Sequence, residues 1–411
     1  MARFLIYSDS SRGRDFDRAG DHVGAALIEP LQGDLLAVRI GFAFNIKPTL
    51  PSSSAGASDA PQSQAPSSAA ATGRYATRGL RSDLPQPDLY AEWDEPETVD
   101  AVEKALSSLG KVIRLEADAD FPRRLMAARP DFVFNIAEGL YGVNREAHVP
   151  AICEFLGIPY HASDPLTLSL SLHKGRAKEI FSHHGVPTAQ FIVANSRADA
   201  RNVNLPFPLF AKPALEGSSK GITARSLCTN RAKLVSVVGD LLDVYQEPVL
   251  IETYLPGQEY TVAIMGNGRE ARCLPIVAFR FDELPLGAPP IYGFEAKWVW
   301  DTPDRPLALF DCPARIDKPL AREIRSVALA AYRLLGVRDW GRVDIRCDAA
   351  GRPMVVEVNP LPGILPNPKD NSCFPKAARA AGMSYDALIQ NVADIAWRRI
   401  SGKSLVAKVA A

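Results

Sequence analysis

The sequence predicts a mixed fold: an N-terminal α/β region built on a parallel sheet, then a longer α+β region. Three observations predict it. Between about residues 89 and 165, strand, helix and strand patterns alternate, the order in which crossover helices join parallel strands. Beyond residue 166, apolar strand runs follow one another with fewer helices between them. The stretch from Pro48 to Gly73, PTLPSSSAGASDAPQSQAPSSAAATG, offers almost nothing apolar to bury, which sets the first strand patterns apart from the rest.

Taken in order, residues 1–47 form an extension with the β-type runs FLIYS and LLAVRIGFAF, and residues 48–88 form a flexible tether. In residues 89–165, EPETVDAVEKALSSLG reads as a helix with acidic residues in its first turn and Gly110 at its stop, followed by the strand KVIRLEA. FVFNIAEG is a strand running into a glycine loop, and VPAICEFLGIPY is a helix with a short extended exit. Residues 166–256 begin with the helix HKGRAKEIFSHHG and continue with the strands TAQFIVA and FPLFAKPA. Residues 257–400 carry the strands EYTVAIMG, RCLPIVAF, GRVDIRCD and PMVVEVN and the helix LAREIRSVALAAYRLLG.

The 47 basic and 47 acidic side chains balance to a net charge of zero, which argues against long-range attraction to nucleic acid or anionic lipid. Small molecules are the expected partners. The six cysteines are scattered without a C-x-x-C pair and read as reduced thiols, and the six histidines lack H-x-x-x-H spacing and read as surface or helix residues. The apolar run at the N-terminus is too short for a signal h-region, and no run of about 18 apolar residues follows, so a cytoplasmic location is expected.

Four segments carry chemistry. In FPLFAKPALEGSSKGI, a strand ends in Lys212, and Gly217, Ser218, Ser219 and Gly221 form a loop whose N–H groups and hydroxyls can approach phosphate oxygens. A plain hairpin turn is the alternative, and the P-loop pattern is not met. In VLIETYLPGQEY, Glu252 ends a strand and Glu259 begins the next; they suit an adenine amino group and ribose hydroxyls, or else flank a solvated linker. In GRVDIRCDAAGRPMVVEVNPLPG, two strands meet at a turn around Asp348–Gly351. Alternation puts Arg342 and Asp344 on one face of the first strand and Glu357 and Asn359 on one face of the second. Asp344, Glu357 and Asn359 then offer hard oxygen donors for magnesium, and Arg342 can stabilise charge on a reacting carboxyl group. The alternative is an amphipathic hairpin with a polar face. In PIYGFEAKWVWD, Lys297 sits in an aromatic-rich loop that can fold over a terminal phosphate or simply pack on the core.

In order and spacing these segments resemble the D-alanine:D-alanine ligase family of the ATP-grasp superfamily, over roughly residues 90–395. HK at Lys174, FAKP, EGSSKGI, IETYLPGQE, EAK, DWGRVDIR and EVNPLPG carry the resemblance. It implies an ATP-grasp fold, with an N-terminal parallel-sheet domain and two α+β domains gripping ATP. It implies an acylphosphate route to a peptide-type bond for peptidoglycan synthesis. ATP contacts would come from Lys174, Lys212, Gly217, Ser218, Ser219, Glu252, Leu255, Glu259 and Lys297. Two Mg²⁺ ions, replaceable by Mn²⁺, would lie on Asp344, Glu357 and Asn359. Arg342, Ser218 and Lys297 would be the catalytic set, with the backbone N–H near Gly363 helping Arg342 at the oxyanion. Amino acids are the implied partners, and a homodimer is compatible.

The departures fall on the amino-acid side. Where the family has an amine-gripping glutamate and His-Gly and Glu-Asp-Gly motifs, this chain has DLYAEWDEPETVDAV and NIAEGLYGVNREAHVP, leaving Glu92 or Glu138 for the amine and Arg145 or Glu146 for the acidic turn. Trp298 stands where a tyrosine is common, and LPGILPNPKDNSCF replaces a Ser/Thr-rich loop. Two other readings remain: an ATP-grasp ligase of secondary metabolism acting on other amino acids or a larger acid, and a non-catalytic nucleotide-binding protein.

Overall fold

The computed structural model describes residues 38–48, 90–301 and 307–406. The predicted FLIYS strand and nearly all of the Pro/Ser-rich tether lie outside the described residues. The chain enters at β1 (Arg39–Phe44), continues through α1 (Pro96–Ser107), β2 (Lys111–Glu116), α2 (Phe121–Ala128) and β3 (Phe132–Asn135), and reaches α3 (His148–Phe155). The three strands form a parallel sheet in the order β2-β1-β3. Because side chains alternate along β1, Ile40, Phe42 and Phe44 face one apolar cluster while Ala43 faces another. The helix α1 starts with a proline in its first turn and buries Val99, Val102 and Leu106, spaced for one face.

Next come α4 (Pro165–Leu172), α5 (Lys174–His183), β4 (Phe191–Ala194), α6 (Arg197–Arg201), β5 (Leu209–Pro213), β6 (Leu227–Cys228), α7 (Arg231–Tyr245) and β7 (Val249–Thr253). The four strands make an antiparallel sheet ordered β4-β7-β5-β6. Helix α7 is capped by Asn230, which accepts the Lys233 N–H, and its apolar face closes a cluster with Leu209, Ala211 and Ile251.

The last part holds β8 (Glu259–Met265), β9 (Arg272–Cys273), β10 (Val277–Phe279), β11 (Phe310–Asp311), α8 (Lys318–Leu334), β12 (Trp340–Cys347), β13 (Pro353–Asn359), α9 (Cys373–Ala380) and α10 (Tyr385–Ser401). Its sheet runs β11-β10-β8-β12-β13, with β9 added to β8. The chain order predicts successive blocks, yet the largest apolar cluster ignores that order. It joins β1, α1 and β3 to Trp340 of β12, Phe374 of α9, and Leu388, Ile389 and Val392 of α10. The C-terminal helix thereby closes the N-terminal sheet, with Gln390 donating to the Ala105 carbonyl.

His161 and Asp339 mark this seam. The sequence places the histidines on surfaces or helices, but His161 is buried, stacked on Phe134 at 4.1 Å, and burial pushes its pKa down to about 4. Asp339, with 0% exposure, accepts from the Ala162 N–H, from Asn267 and from two nitrogens of Arg399 at 2.9 and 2.7 Å. Removing one partner of a buried pair leaves the other charge uncompensated, so Asp339→Ala is expected to cost about 3–5 kcal/mol of stability. Urea unfolding followed by circular dichroism checks this, and a loss below about 1 kcal/mol contradicts it. The described cysteines are all free, and no described helix is long and apolar enough to cross a membrane.

Candidate active site

The site is built on the β12–β13 hairpin, whose register sets Arg342 opposite Asn359 and Asp344 opposite Glu357, with a bulge between Asp344 and Ile345. Four polar side chains from two strands therefore meet. Arg342 donates to both Asp344 oxygens at 2.9 and 2.8 Å, and Asn359 Nδ2 reaches Asp344 at 3.1 Å and Glu357 at 3.4 Å. On the neighbouring strand β8, Thr261 donates to Asp344 at 2.5 Å. Lys174, at the start of α5, brings Nζ within 3.5 Å of Glu357. Burial acts to raise the Glu357 pKa, but Lys174, Lys212 and Arg342 outweigh it and hold the carboxyl down at about 2.

The oxygen donors fit a hard cation. Asp344, Glu357 and the Asn359 carboxamide supply oxygens of the type magnesium prefers, and the chain's own cations already gather on the two carboxylates. The Arg342 pKa is raised, because Asp344 outweighs the opposing effect of burial.

Strand β5 delivers Lys212 and then the glycine-serine loop. Gly217 O accepts the Lys220 N–H at 2.9 Å, and Ser218 and Ser219 hold left-handed φ values of 49° and 61°. Non-glycine residues in that region are strained, which is commoner at functional loops than elsewhere. Lys297 Nζ donates to Ser218 Oγ at 3.3 Å, and Ser219 Oγ donates to the Tyr292 carbonyl at 3.0 Å. The glycine-serine loop and the segment carrying Tyr292 and Lys297 thus touch. Burial, joined by the Arg342 charge, lowers the Lys297 pKa to about 8. Its ammonium is therefore held below that pH and lost above it. With the acceptor saturating, kcat/KM for ATP is expected to fall as pH rises through about 8. Lys297→Arg, always charged, is expected to lose that limb, and a pH–rate profile at low ATP checks both.

At the β7–β8 connection, both Glu252 oxygens hold lysines, Lys178 at 2.7 Å and Lys212 at 3.0 Å. Against burial, these two cations bring its pKa to about 2. The sequence reading missed Lys178, although its i, i+4 spacing from Lys174 puts both on one face of α5. Glu259 pairs with Arg346 at 2.9 Å, and the Leu255 carbonyl accepts from the same guanidinium at 2.7 Å. Arg346 was also missed; it stands two residues beyond Asp344 on the same strand.

The amino-acid side differs from expectation. Glu92 does not offer a bare carboxylate to a substrate amine, because both its oxygens accept from Arg145 at 2.7 and 2.8 Å and it also accepts the Gly217 N–H at 2.8 Å. Arg145 donates to the Leu215 carbonyl at 2.8 Å as well, so the pair fastens the glycine-serine loop to the N-terminal region. Glu138 and Glu146 bring carboxylate oxygens within 4.8 Å of each other and of Glu92. Burial pushes Glu138 well above its ordinary range and Glu146 to about 7; the Glu92 charge adds to both rises, the Glu146 charge adds to that of Glu138, and Arg145 opposes both. Gly363 accepts the Ser372 hydroxyl at 3.1 Å, which pins the loop after Asn359. The side chain of Trp298 lies outside the described residues.

Residues 180–394, just over half of the chain, match the family described as D-ala D-ala ligase C-terminus. An uncharacterized protein, y4sG, of Sinorhizobium fredii is 33% identical over 332 residues, which cover 78% of this chain and 94% of that one. The D-alanine–D-alanine ligase of Bordetella petrii is 34% identical over 276 residues, 65% of this chain and 76% of its own. The crystal structure of D-alanine–D-alanine ligase from Bacillus anthracis complexed with ATP aligns with a TM-score of 0.59 over 88% of this chain and 98% of that one. At 21% identity that likeness is one of fold, the ATP-grasp fold. With the family's C-terminal region spanning most of the described sheets, and a relative at one-third identity covering three-quarters of the sequence, the chain belongs to the D-alanine–D-alanine ligase family.

Proposed function

We propose that this protein is an ATP-dependent carboxylate–amine ligase joining two amino acids through an acylphosphate, with D-alanine as the leading substrate. The observation that carries this reading is the β12–β13 cluster, where Arg342 stands beside Asp344, Glu357 and Asn359. The donor's carboxylate oxygen attacks the γ-phosphorus of ATP and ADP leaves. The acceptor's free amine then attacks the acyl carbon; the acyl C–O bond breaks, inorganic phosphate leaves carrying that oxygen, and the amine's proton passes to solvent. Asp344, Glu357 and Asn359 would hold magnesium, or manganese in its place, which supplies neutralisation of phosphate charge when bound.

The remaining work falls to the chain. Lys174 and Lys212 present cations beside Glu357, where the β- and γ-phosphates are expected. Ser218 and Lys297 close over the transferred group and exclude water. Arg342 would face the oxygen that becomes anionic when the amine adds, assisted by the backbone N–H near Gly363. Catalysis is chiefly positioning and charge neutralisation.

A phosphate-release screen with ATP, Mg²⁺ and D- and L-amino acids, singly and in pairs, tests the reading. Release with D-alanine alone is expected. The commitment of Glu92 to Arg145 favours a second reading, a ligase of the same chemistry acting on other amino acids or a larger acid. Silence with D-alanine and a signal elsewhere supports that second reading, and silence throughout removes both.

A further inference from the structure

Arg346 is a buried arginine beside the cluster that the proposed chemistry leaves unused. Its side chain is 8% exposed, and its guanidinium is bonded to groups from three stretches of chain. Nε donates to the Leu255 carbonyl at 2.7 Å and Nη1 to Glu259 Oε2 at 2.9 Å. Nη2 donates to the Tyr254 hydroxyl at 3.0 Å and to the Pro290 carbonyl at 2.8 Å. The rings of Tyr254 and Phe281 lie 5.1 and 5.2 Å from the guanidinium carbon, within cation–π range. No other side chain type supplies this fork: a lysine has one nitrogen and cannot reach four acceptors in fixed directions.

From this arrangement we infer that Arg346 is a positioning residue for nucleotide selection, setting the Glu259 carboxylate and the Leu255 backbone in the geometry that reads the ribose and the base. The inference rests on the ATP reading above and adds a residue to it. Arg346 and Glu259 are register partners across β12 and β8, so the contact is fixed by strand pairing and not by a mobile side chain alone. Glu259 is half-buried, and its desolvation raises its pKa against the opposing charge of Arg346. Without the guanidinium, that carboxylate would lose the partner that orients it. The link to Pro290 carries the effect further, since the segment after it contains Tyr292, which receives Ser219, and leads to Lys297.

The test compares kcat and KM for ATP, 2′-deoxyATP and 3′-deoxyATP in wild type, Arg346→Lys and Arg346→Met. The wild type is expected to prefer ATP over both deoxynucleotides in kcat/KM. In Arg346→Met, KM for ATP is expected to rise about tenfold or more while kcat stays within about threefold, and the preference for ATP is expected to collapse toward unity. Arg346→Lys, which keeps a charge near Glu259, is expected to recover part of the preference. Should Arg346→Met fail to fold, the lysine variant must still show raised KM with kcat held. A preference unchanged in the variants, absent from wild type, or an equal loss of kcat for all three nucleotides with KM unmoved, overturns the inference. Where no amino acid elicits phosphate release, calorimetric binding of the same nucleotides reads the preference directly, so failure of the ligase reading and failure of the Arg346 role are told apart.

Discussion

Glu357→Gln is expected to lower kcat by about a thousandfold, roughly 4 kcal/mol of barrier, while ATP still binds. The carboxylate is held ionised by Lys174, Lys212 and Arg342, so at any assay pH it carries the full charge that a divalent cation needs. Glutamine keeps the shape and one oxygen but removes that charge. The lysines left unopposed still attract phosphate, which is why binding and turnover are expected to separate. Phosphate release measures the turnover, calorimetry with ATP measures the binding, and far-UV circular dichroism shows whether the fold is kept. Turnover within about tenfold of wild type would contradict the assignment.

Arg342→Ala carries the second large effect, a fall in kcat of about 10²–10³-fold with KM for ATP changed by less than about threefold. The guanidinium is fixed on Asp344 by two hydrogen bonds, so it is in place before any charge develops, and preorganised charge costs no rearrangement in the transition state. Arg342→Lys restores a positive charge without the fork and is expected to recover only part of the rate. A large rise in KM with kcat intact would move Arg342 from the reacting carbon to nucleotide binding.

How much of this was legible in the sequence depends on how local each feature is. The hairpin cluster was legible because Arg342 and Asp344, like Glu357 and Asn359, are two residues apart, and strand alternation sends such pairs to one face. The strands of β1, β2 and β3 and the helix α1 were legible for the same reason, since apolar periodicity is written in consecutive residues. The Glu92–Arg145–Gly217 fastening was not, because it joins residues 53 and 125 positions from Glu92 and no period connects them. Nor was the docking of α10 on α1, which closes a cluster between opposite ends of the described chain.

Lys178 and Arg346 are intermediate cases. Each lies at helical or strand spacing from a residue the sequence did single out, but a periodicity names a face and not a partner. What decides their roles is Glu252 and Glu259, carboxylates contributed by other strands. Amino-acid selectivity is the least legible part. Glu138, Arg145 and Glu146, the residues the sequence offers for it, are linked by burial and charge compensation, which depend on three-dimensional proximity.

Anomalous diffraction from crystals grown with Mn²⁺ and a non-hydrolysable ATP analogue tests the central claim most directly. Manganese peaks are predicted within ligand distance of Asp344, Glu357 and Asn359, with the triphosphate beside Lys212 and the Ser218–Ser219 turn. Peaks elsewhere, or a nucleotide bound away from this hairpin, would contradict it.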